Sequence, residues 1–175
     1  MNNLTLIIPA KNEKESLPYV LEDLKDKFFQ IHVILEETDQ LTIESISKYN
    51  CKIIFQRGRG YGDALIEGIN SVKSKYFCIF NADGSFDPNE IEVMIKKIND
   101  ESCDFIFGSR YEKNSGSEDD TIVTKIGNYI FTLIGKIFFS LNISDVLYTF
   151  VLGKTESAKK LNLKQKDFSF CVELP

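Results

Sequence analysis

The sequence has a single histidine, His32, and no tryptophan. Any Ser-His-Asp or Cys-His mechanism would therefore have to use His32. This residue lies in the apolar run 30–35, whose composition is typical of a β-strand, so a structural role for the ring is the simpler interpretation. A general base, if the protein uses one, is expected to be a carboxylate.

Cysteine is scarce, and no two cysteines form a Cys-x-x-Cys pair, which argues against a zinc ribbon or a redox motif. Most of the four lie in apolar runs, where a buried thiol behaves as a small hydrophobic group: Cys51, Cys78, Cys103 and Cys171. The N-terminal residues 1–4 contain no basic segment before an apolar stretch, so no signal peptide is expected. Together these features predict a cytoplasmic location.

Positive charge is also in deficit, because the formal net charge is -5 and the pI is about 5.0. This balance argues against a protein that binds along nucleic acid by neutralising phosphates. With 175 residues, of which 43% are hydrophobic, the chain can bury one good core. A single domain, residues 1–175, is therefore expected.

Short β-rich runs alternate with helical patterns over the first 107 residues. This order predicts an α/β fold with a doubly wound, mostly parallel sheet flanked by helices, which binds its ligand beyond the carboxyl ends of the strands. The predicted strands are 4–9, 31–35, 52–55, 76–80 and 104–107, and the predicted helices are 16–27, 41–49, 61–72 and 89–99, with Ser16 as an N-cap.

A polar stretch at 112–121 predicts a surface loop, and an amphipathic helix is expected after it. Its apolar stripe comprises Ile126, Ile130, Leu133, Ile134, Ile137, Phe138 and Leu141, and its polar stripe Lys125, Asn128, Thr132, Lys136 and Ser140. The polar residues argue against a transmembrane span. Core packing is the simpler role for the apolar stripe, and contact with a membrane surface is the alternative.

Two polar segments, 9–13 and 81–88, follow the first and fourth strands and so fall at the ligand edge of the sheet. Asp83 leaves an apolar strand and could hold a divalent cation that bridges two phosphates. Gly84 would let the backbone turn sharply beside the ligand. Asp87 is equally explained as a group that caps the helix after it.

These two segments resemble family 2 glycosyltransferases with the GT-A fold, a Rossmann-like nucleotide-diphospho-sugar transferase fold. The dolichyl- and polyprenyl-phosphate sugar (mannosyl or glucosyl) transferases are the most similar members. In that family the first strand ends in Pro-x-x-Asn-Glu, and the metal motif is usually Asp-x-Asp followed by Asp-Pro. The similarity extends through segments 57–62, 108–111, 127–128, 144–145 and 168–173, and so covers nearly the whole chain.

The resemblance implies a role for each matching position. Asp83, Arg110 and Asp145 would be catalytic, and Asp83 with Ser85 would hold Mg²⁺ or Mn²⁺. A guanidinium suits phosphate oxygens, although a surface salt bridge would also explain Arg110. The implied nucleotide site comprises Pro9, Ala10, Asn12, Glu13, Glu36, Glu37, Arg57, Gly60 and Ala82.

Several positions differ from the family pattern. Asn81 replaces the usual first aspartate of the metal motif, and the Ser85 hydroxyl is a weak substitute for a second metal ligand. Glu36 and Glu37 replace a common Asp-Asp pair near the base or ribose. Val151 stands where an arginine is common.

The resemblance implies transfer of a hexose, with inversion, from a nucleoside diphosphate sugar to an acceptor. A polyprenyl or dolichyl phosphate is the expected acceptor, which would place the protein peripherally on the cytoplasmic face of a membrane. The alternatives are transfer to a sugar hydroxyl of a cell-surface glycan, with Asp145 or Glu173 as base, and a catalytically impaired nucleotide-sugar-binding module. A strand-like run ends at residues 173–175, and similar proteins continue beyond it, so a C-terminal extension is expected to complete the acceptor side.

Overall fold

A computed structural model of the chain describes residues 3–27, 29–110, 122–139 and 143–175. The predicted surface loop at 112–121 lies outside this part. The strands are β1 Leu4–Pro9, β2 Gln30–Leu35, β3 Lys52–Phe55, β4 Tyr76–Ile79, β5 Phe105–Phe107 and β6 Val151–Lys154. The helices are α1 Ser16–Leu24, α2 Gln40–Ile46, α3 Tyr61–Ser71, α4 Glu90–Asp100, α5 Ile122–Phe139, α6 Thr155–Lys160 and α7 Phe170–Glu173.

The six strands form one mixed sheet in the order β3-β2-β1-β4-β6-β5. The pairs β1–β2, β1–β4 and β2–β3 are parallel, whereas β6 runs antiparallel to both β4 and β5. The predicted α/β class with a mostly parallel sheet is therefore confirmed. The parallel strands are nearly continuous apolar runs because helices cover both faces of the sheet.

Strand β6 was not predicted, because its sequence Val-Leu-Gly-Lys shows no clear alternation. The glycine has a packing reason. A Cβ atom at Gly153 would lie 2.7 Å from ring atoms of Phe77 on β4 and of Phe105 on β5. The two aromatic rings therefore fill the space where a side chain of β6 would stand.

Two hydrophobic clusters lie on opposite faces of the sheet. One packs Leu17, Leu21 and Leu24 of α1 and Ile91 of α4 against the sheet. The other packs Leu65 and Ile69 of α3, with Ala158 of α6 and Phe170 of α7. The sheet is thus buried between two helical layers, and its strand ends are left to form a site.

Several local predictions were wrong. Helix α1 ends at Leu24, three residues before the predicted end, and its N-cap is Glu15 rather than Ser16. The Ser16 hydroxyl donates instead to the Glu13 carboxylate. A strand-like run was expected to end at 173–175, but a short helix, α7, ends at Glu173 instead. Phe170 of α7 is completely buried in the cluster that contains residues of α3 and α6.

Helix α5 is oriented opposite to the simpler prediction. Its side chains are described from Asn128 to Phe138, and among them Asn128 and Thr132 are buried, with 2% and 6% exposure. The apolar residues are 41–75% exposed: Tyr129, Ile130, Phe131, Leu133, Ile134, Ile137 and Phe138. Core packing of the apolar stripe is therefore wrong for these residues. Asn128 and Thr132 of the polar stripe face inward because they bond to a buried carboxylate and to backbone groups, whereas Lys136 is exposed.

Candidate active site

A cavity of about 550 Å³ lies at the carboxyl edge of the parallel strands. Its lining comes from the segments that follow β1, β2, β3 and β4, and from two distant segments near residues 147–149 and 168–171. The lining residues are Pro9, Ala10, Lys11, Glu13, Glu36, Gln56, Gly60, Tyr61, Ala64, Asn81, Ala82, Asp83, Leu147, Thr149, Phe168 and Cys171.

The cavity brings together part of the predicted site. Its lining includes the predicted residues Pro9, Ala10, Glu13, Glu36, Gly60, Ala82 and Asp83. Its lining does not include Asn12, Glu37, Arg57, Ser85, Arg110 or Asp145. Since parallel strands end at one edge, residues separated by about 70 positions in the sequence converge there.

The turn at 81–85 is held by its own side chains. The Asp83 carboxylate accepts a hydrogen bond from the Ser85 backbone N–H at 2.9 Å, and the Asn81 amide donates to the Ser85 hydroxyl at 3.0 Å. Gly84 has a φ of 82°, in the left-handed region that favours glycine. The turn therefore presents Asp83 and Asn81 to the cavity, with Ser85 behind them.

This turn fits a divalent cation only together with phosphates. Among the described residues, no three His, Cys, Asp or Glu side chains cluster as a metal site. Mg²⁺ in phosphate-binding proteins often takes one or two carboxylates and completes its shell with phosphate oxygens and water. The nearby Asp87 carboxylate accepts at 2.8 Å from the backbone N–H of Asn89, which is the N-cap residue of α4.

The segment after β1 is tied to β2 and α2. Lys11 pairs with Glu36 at 3.2 Å between Nζ and Oε1, and the pair borders both the main cavity and a smaller one of about 220 Å³. Asn12 has a φ of 59° and lines only the smaller cavity, where its N–H donates to Asp39 at 2.7 Å. Glu37 is exposed and lines neither cavity.

The glycine-rich loop before α3 packs against the distant segment 165–168. Cβ atoms at Gly60 and Gly62 would lie 2.3 and 2.2 Å from the carbonyl oxygens of Lys166 and Gln165. These glycines therefore permit close approach of the two backbones. Arg57 at the start of the loop has an 88% exposed side chain, and its Nε lies 3.8 Å from Glu67 Oε1.

The same contact forms one wall of the cavity. The rings of Tyr61 and Phe168 stack at 5.2 Å with an interplanar angle of 17°, and Tyr61 Oη lies 2.8 Å from Thr149 Oγ1. Burial raises the pKa of Tyr61 to about 12, so its hydroxyl keeps its proton. Sequence reasoning missed this wall, because no local pattern links Tyr61 to an aromatic residue so distant in the chain.

Arg110 and Asp145 form a bidentate ion pair beside the cavity. Arg110 Nε and one terminal nitrogen donate to the two oxygens of Asp145 at 2.8 and 3.1 Å, and the Arg110 backbone N–H donates at 3.2 Å. Asp145 is completely buried. The guanidinium lies 5.2 Å from the ring centre of Tyr148, and burial raises the pKa of that tyrosine to about 12.

The two carboxylates considered as a base are both engaged. Asp145 accepts a fourth hydrogen bond, from Asn128 Nδ2 at 2.7 Å. Glu173 accepts from the backbone N–H groups of Lys164 and Gln165 at 2.8–3.0 Å, and so braces the segment that packs on the glycine-rich loop. Both carboxylates therefore have structural roles.

Comparison with known protein families gives a match over residues 5–161 to the family described as Glycosyl transferase family 2. The chain belongs to this family. The match covers most of the sheet, the segment after β1 and the Asp83 turn. The predicted family and GT-A fold are thereby confirmed, while the narrower similarity to polyprenyl-phosphate sugar transferases stays a prediction.

Three curated relatives are distant. An uncharacterized protein of Methanocaldococcus jannaschii is 26% identical over 165 residues, which cover 91% of this chain and 68% of the relative. The low-salt glycan biosynthesis hexosyltransferase Agl6 of Haloferax volcanii is 24% identical over 149 residues, which cover 81% of this chain and 36% of the relative. The chain spans about half, 48%, of an uncharacterized glycosyltransferase of Mycobacterium tuberculosis.

The fold also matches solved structures. Glucosyl-3-phosphoglycerate synthase of Mycobacterium tuberculosis, crystallised with Mn²⁺, UDP-glucose and phosphoglyceric acid, has a TM-score of 0.76 and 13% identity. The match covers 98% of this chain and 62% of that one. Mannosyl-3-phosphoglycerate synthase of Rubrobacter xylanophilus gives a TM-score of 0.70 with 14% identity, over 90% of this chain and 54% of that one. At such identities the likeness shows the fold alone.

Proposed function

We propose that this chain binds a nucleoside diphosphate sugar in the main cavity and transfers its hexose to an acceptor with inversion. The observation that carries the proposal is the convergence of Pro9, Glu36 and Asp83 on one cavity at the carboxyl edge of the sheet. Ligands of open α/β sheets bind at this edge. Membership in glycosyl transferase family 2 supports the same reaction class.

The cavity offers different chemistry at its two ends. Near β2 and β3, Glu36 and Gln56 supply polar groups for a base or ribose, and Pro9 and Ala10 form an apolar floor. Near β4, Asp83 marks the end where a diphosphate and its cation would lie. The donor would therefore bind with its nucleoside beside β1 to β3 and its phosphates towards the Asp83 turn.

The proposed cofactor is Mg²⁺ or Mn²⁺, held by Asp83, with the Asn81 amide oxygen or the Ser85 hydroxyl as neutral ligands. Such a cation supplies positive charge to the departing nucleoside diphosphate. The glucosyl-3-phosphoglycerate synthase of similar fold was crystallised with Mn²⁺ and UDP, which supports this choice. Arg110, oriented by Asp145, would add a second positive charge near the phosphates.

For the acceptor we propose a polyprenyl or dolichyl phosphate. An acceptor phosphate is already anionic at neutral pH and needs no general base, which suits a site whose buried carboxylate, Asp145, accepts four hydrogen bonds. The exposed apolar face of α5 would lie on the membrane that carries such a lipid. No helix in the described part of the chain meets the length and hydropathy needed to cross a membrane.

Two other functions are distinguishable. Transfer to a sugar hydroxyl is favoured by the Haloferax relative, whose name places it in glycan biosynthesis. A binding module without catalysis is favoured by Asn81 and Ser85, which replace charged groups in the metal motif. A hydroxyl acceptor would need a base, and the candidates already have partners.

The test is a calorimetric screen of UDP-glucose, GDP-mannose and related donors, with and without Mn²⁺, followed by turnover with a polyprenyl phosphate. We expect Mn²⁺-dependent binding of one donor and formation of a glycolipid. Binding without turnover on lipid or glycan would support the binding module. Absence of binding to every donor would overturn the proposal.

A further inference from the structure

The inward face of α5 carries polar groups at positions where apolar packing would be expected. Asn128 and Thr132 are buried there, although burying an amide costs free energy unless its groups are hydrogen-bonded. Thr132 Oγ1 accepts from the Val146 backbone N–H at 3.4 Å. Both residues therefore bond to the segment 145–147, whose last residue, Leu147, lines the cavity.

The Asn128 amide joins two parts of the candidate site. Its nitrogen donates to Asp145 Oδ1 at 2.7 Å, and its oxygen accepts from the Leu147 backbone N–H at 3.2 Å. Both oxygens of Asp145 accept hydrogen bonds from the Arg110 guanidinium, and Leu147 lines the cavity. One side chain thus connects the carboxylate that orients Arg110 with the cavity wall.

We propose that Asn128 is a positioning residue for the sugar transfer. It fixes the Asp145 carboxylate, and through it the direction in which Arg110 meets the diphosphate. This inference rests on the proposed function of the cavity. A long arginine side chain contributes to phosphate binding only when its orientation is set beforehand, and a carboxylate can set it only if its own orientation is fixed.

The decisive variant is Asn128→Leu, which keeps a similar volume and removes both hydrogen bonds. The matched control is Thr132→Val, which removes a buried bond on the same helix face but touches neither Asp145 nor Leu147. Calorimetry with Mn²⁺ measures Kd for UDP and UMP, or for GDP and GMP if the parent prefers guanine. The ratio of these two Kd values isolates the terminal phosphate.

We expect Asn128→Leu to weaken diphosphate binding about tenfold relative to monophosphate binding, which corresponds to about 1.4 kcal/mol. The ratio in Thr132→Val should stay within about twofold of the parent, since that change loses only a neutral hydrogen bond from the Val146 backbone N–H. Both variants should lose thermal stability. A purely structural role for Asn128 would lower stability in the same way without changing the ratio.

A second variant, Asn128→Asp, keeps the proposal testable if Asn128→Leu does not fold. The introduced carboxylate faces Asp145 and repels it at neutral pH, but after protonation it can again donate to Asp145. The charged or titratable groups described around Asp145 are Arg110, which is paired with it, and Tyr148, whose ring lies against the Arg110 guanidinium. The diphosphate-to-monophosphate ratio should therefore recover towards the parental value when the pH falls from about 7.5 to about 5.5.

The outcomes distinguish the proposed function of the cavity from the positioning role of Asn128. If the parent binds neither UDP nor GDP, the proposed function fails and this inference fails with it. If the parent binds and folded Asn128→Leu keeps the parental ratio, only the inference is overturned. If Asn128→Leu does not fold, absence of low-pH recovery in Asn128→Asp overturns it.

Discussion

In the proposed function, Asp83 is the residue on which donor binding depends most directly. Its carboxylate accepts from the Ser85 backbone N–H and so is fixed in direction, and its neighbour Asn81 contributes an amide where the family pattern has an acid. A cation at this turn would therefore meet a single negative side chain. The rest of its positive charge would be balanced by the diphosphate.

Replacement of Asp83 by alanine should remove most of the Mn²⁺-dependent donor affinity. We expect a loss of about 2 to 4 kcal/mol, because a cation left with neutral ligands no longer anchors the phosphates. Asn81→Asp should instead strengthen metal binding. Calorimetry with and without Mn²⁺ measures both effects. Asp87→Ala is the control, since that carboxylate bonds to the start of α4. Unchanged Mn²⁺-dependent binding in Asp83→Ala would place the metal elsewhere.

His32 should make the protein less stable in mild acid. The ring is 7% exposed, its Nδ1 lies 2.7 Å from Ser71 Oγ, and burial together with the charge of Lys52 lowers its pKa. Because the unfolded state binds a proton near pH 6.5 and the folded state resists it, stability falls as the pH drops below about 6.5.

Urea unfolding of the parent and of His32→Asn at about pH 7.5 and about pH 5.5 tests this expectation. The variant should be less stable at the higher pH, because a buried ring is lost, but its stability should change less between the two conditions. Equal changes in both proteins would assign the acid sensitivity to carboxylates.

At the scale of elements, helix α5 departs most from its sequence pattern. A period of about 3.6 residues identifies an apolar and a polar stripe, and the apolar stripe is ordinarily the buried one. Here Asn128 and Thr132 of the polar stripe face inward, where they bond to a buried carboxylate and to two backbone N–H groups. The apolar stripe is left available to a partner, for which we propose a lipid surface.

Phe138→Ser should weaken binding to liposomes while thermal stability stays unchanged. The side chain is 75% exposed, so its removal costs little in the fold, whereas inserting it into an interface would contribute about 1.5 to 3 kcal/mol. Phe131→Ser should act in the same direction. Tyr19→Ser on α1, which removes a 76% exposed ring, is the control. Equal liposome sedimentation of Phe138→Ser and the parent would contradict a lipid surface as the partner of this face.

At the scale of the whole molecule, β6 joins the edge strand β5 to the other four strands of the sheet. It pairs with β4 on one side and β5 on the other, so the edge strand β5 reaches the rest of the sheet only through β6. The same segment of chain carries the cavity residues Leu147 and Thr149 just before the strand. Pairing of β6 with β4 and β5 and formation of the cavity wall are therefore coupled.

Gly153→Val should destabilise the whole domain rather than one edge. The added side chain would meet the rings of Phe77 and Phe105 at 2.7 Å, and overpacking of this kind costs about 1 to 3 kcal/mol. For a domain of this size that corresponds to a Tm lower by roughly 2–4 °C per kcal/mol. Calorimetry should show one transition at a lower temperature. A separate early transition of β5 alone would contradict the coupling.

The sequence by itself determined the order of strands and helices over the first 107 residues and the polar segments at the strand ends. These features depend on local composition and periodicity, which a chain displays without reference to its tertiary neighbours. Pro9, Glu36 and Asp83 could therefore be assigned to one edge of the sheet from the sequence alone. The alternation of β and α elements was enough to bring the ends of the parallel strands together.

Only the tertiary structure decided which side of α5 is buried, where β6 inserts, and that Phe168 stacks on Tyr61. It also decided that Arg110, Asn128 and Asp145 form one network. Each of these contacts joins positions far apart in the sequence, and none has a local signature. Periodicity shows that a helix has two faces, but which face is buried depends on the groups that the rest of the fold places against it.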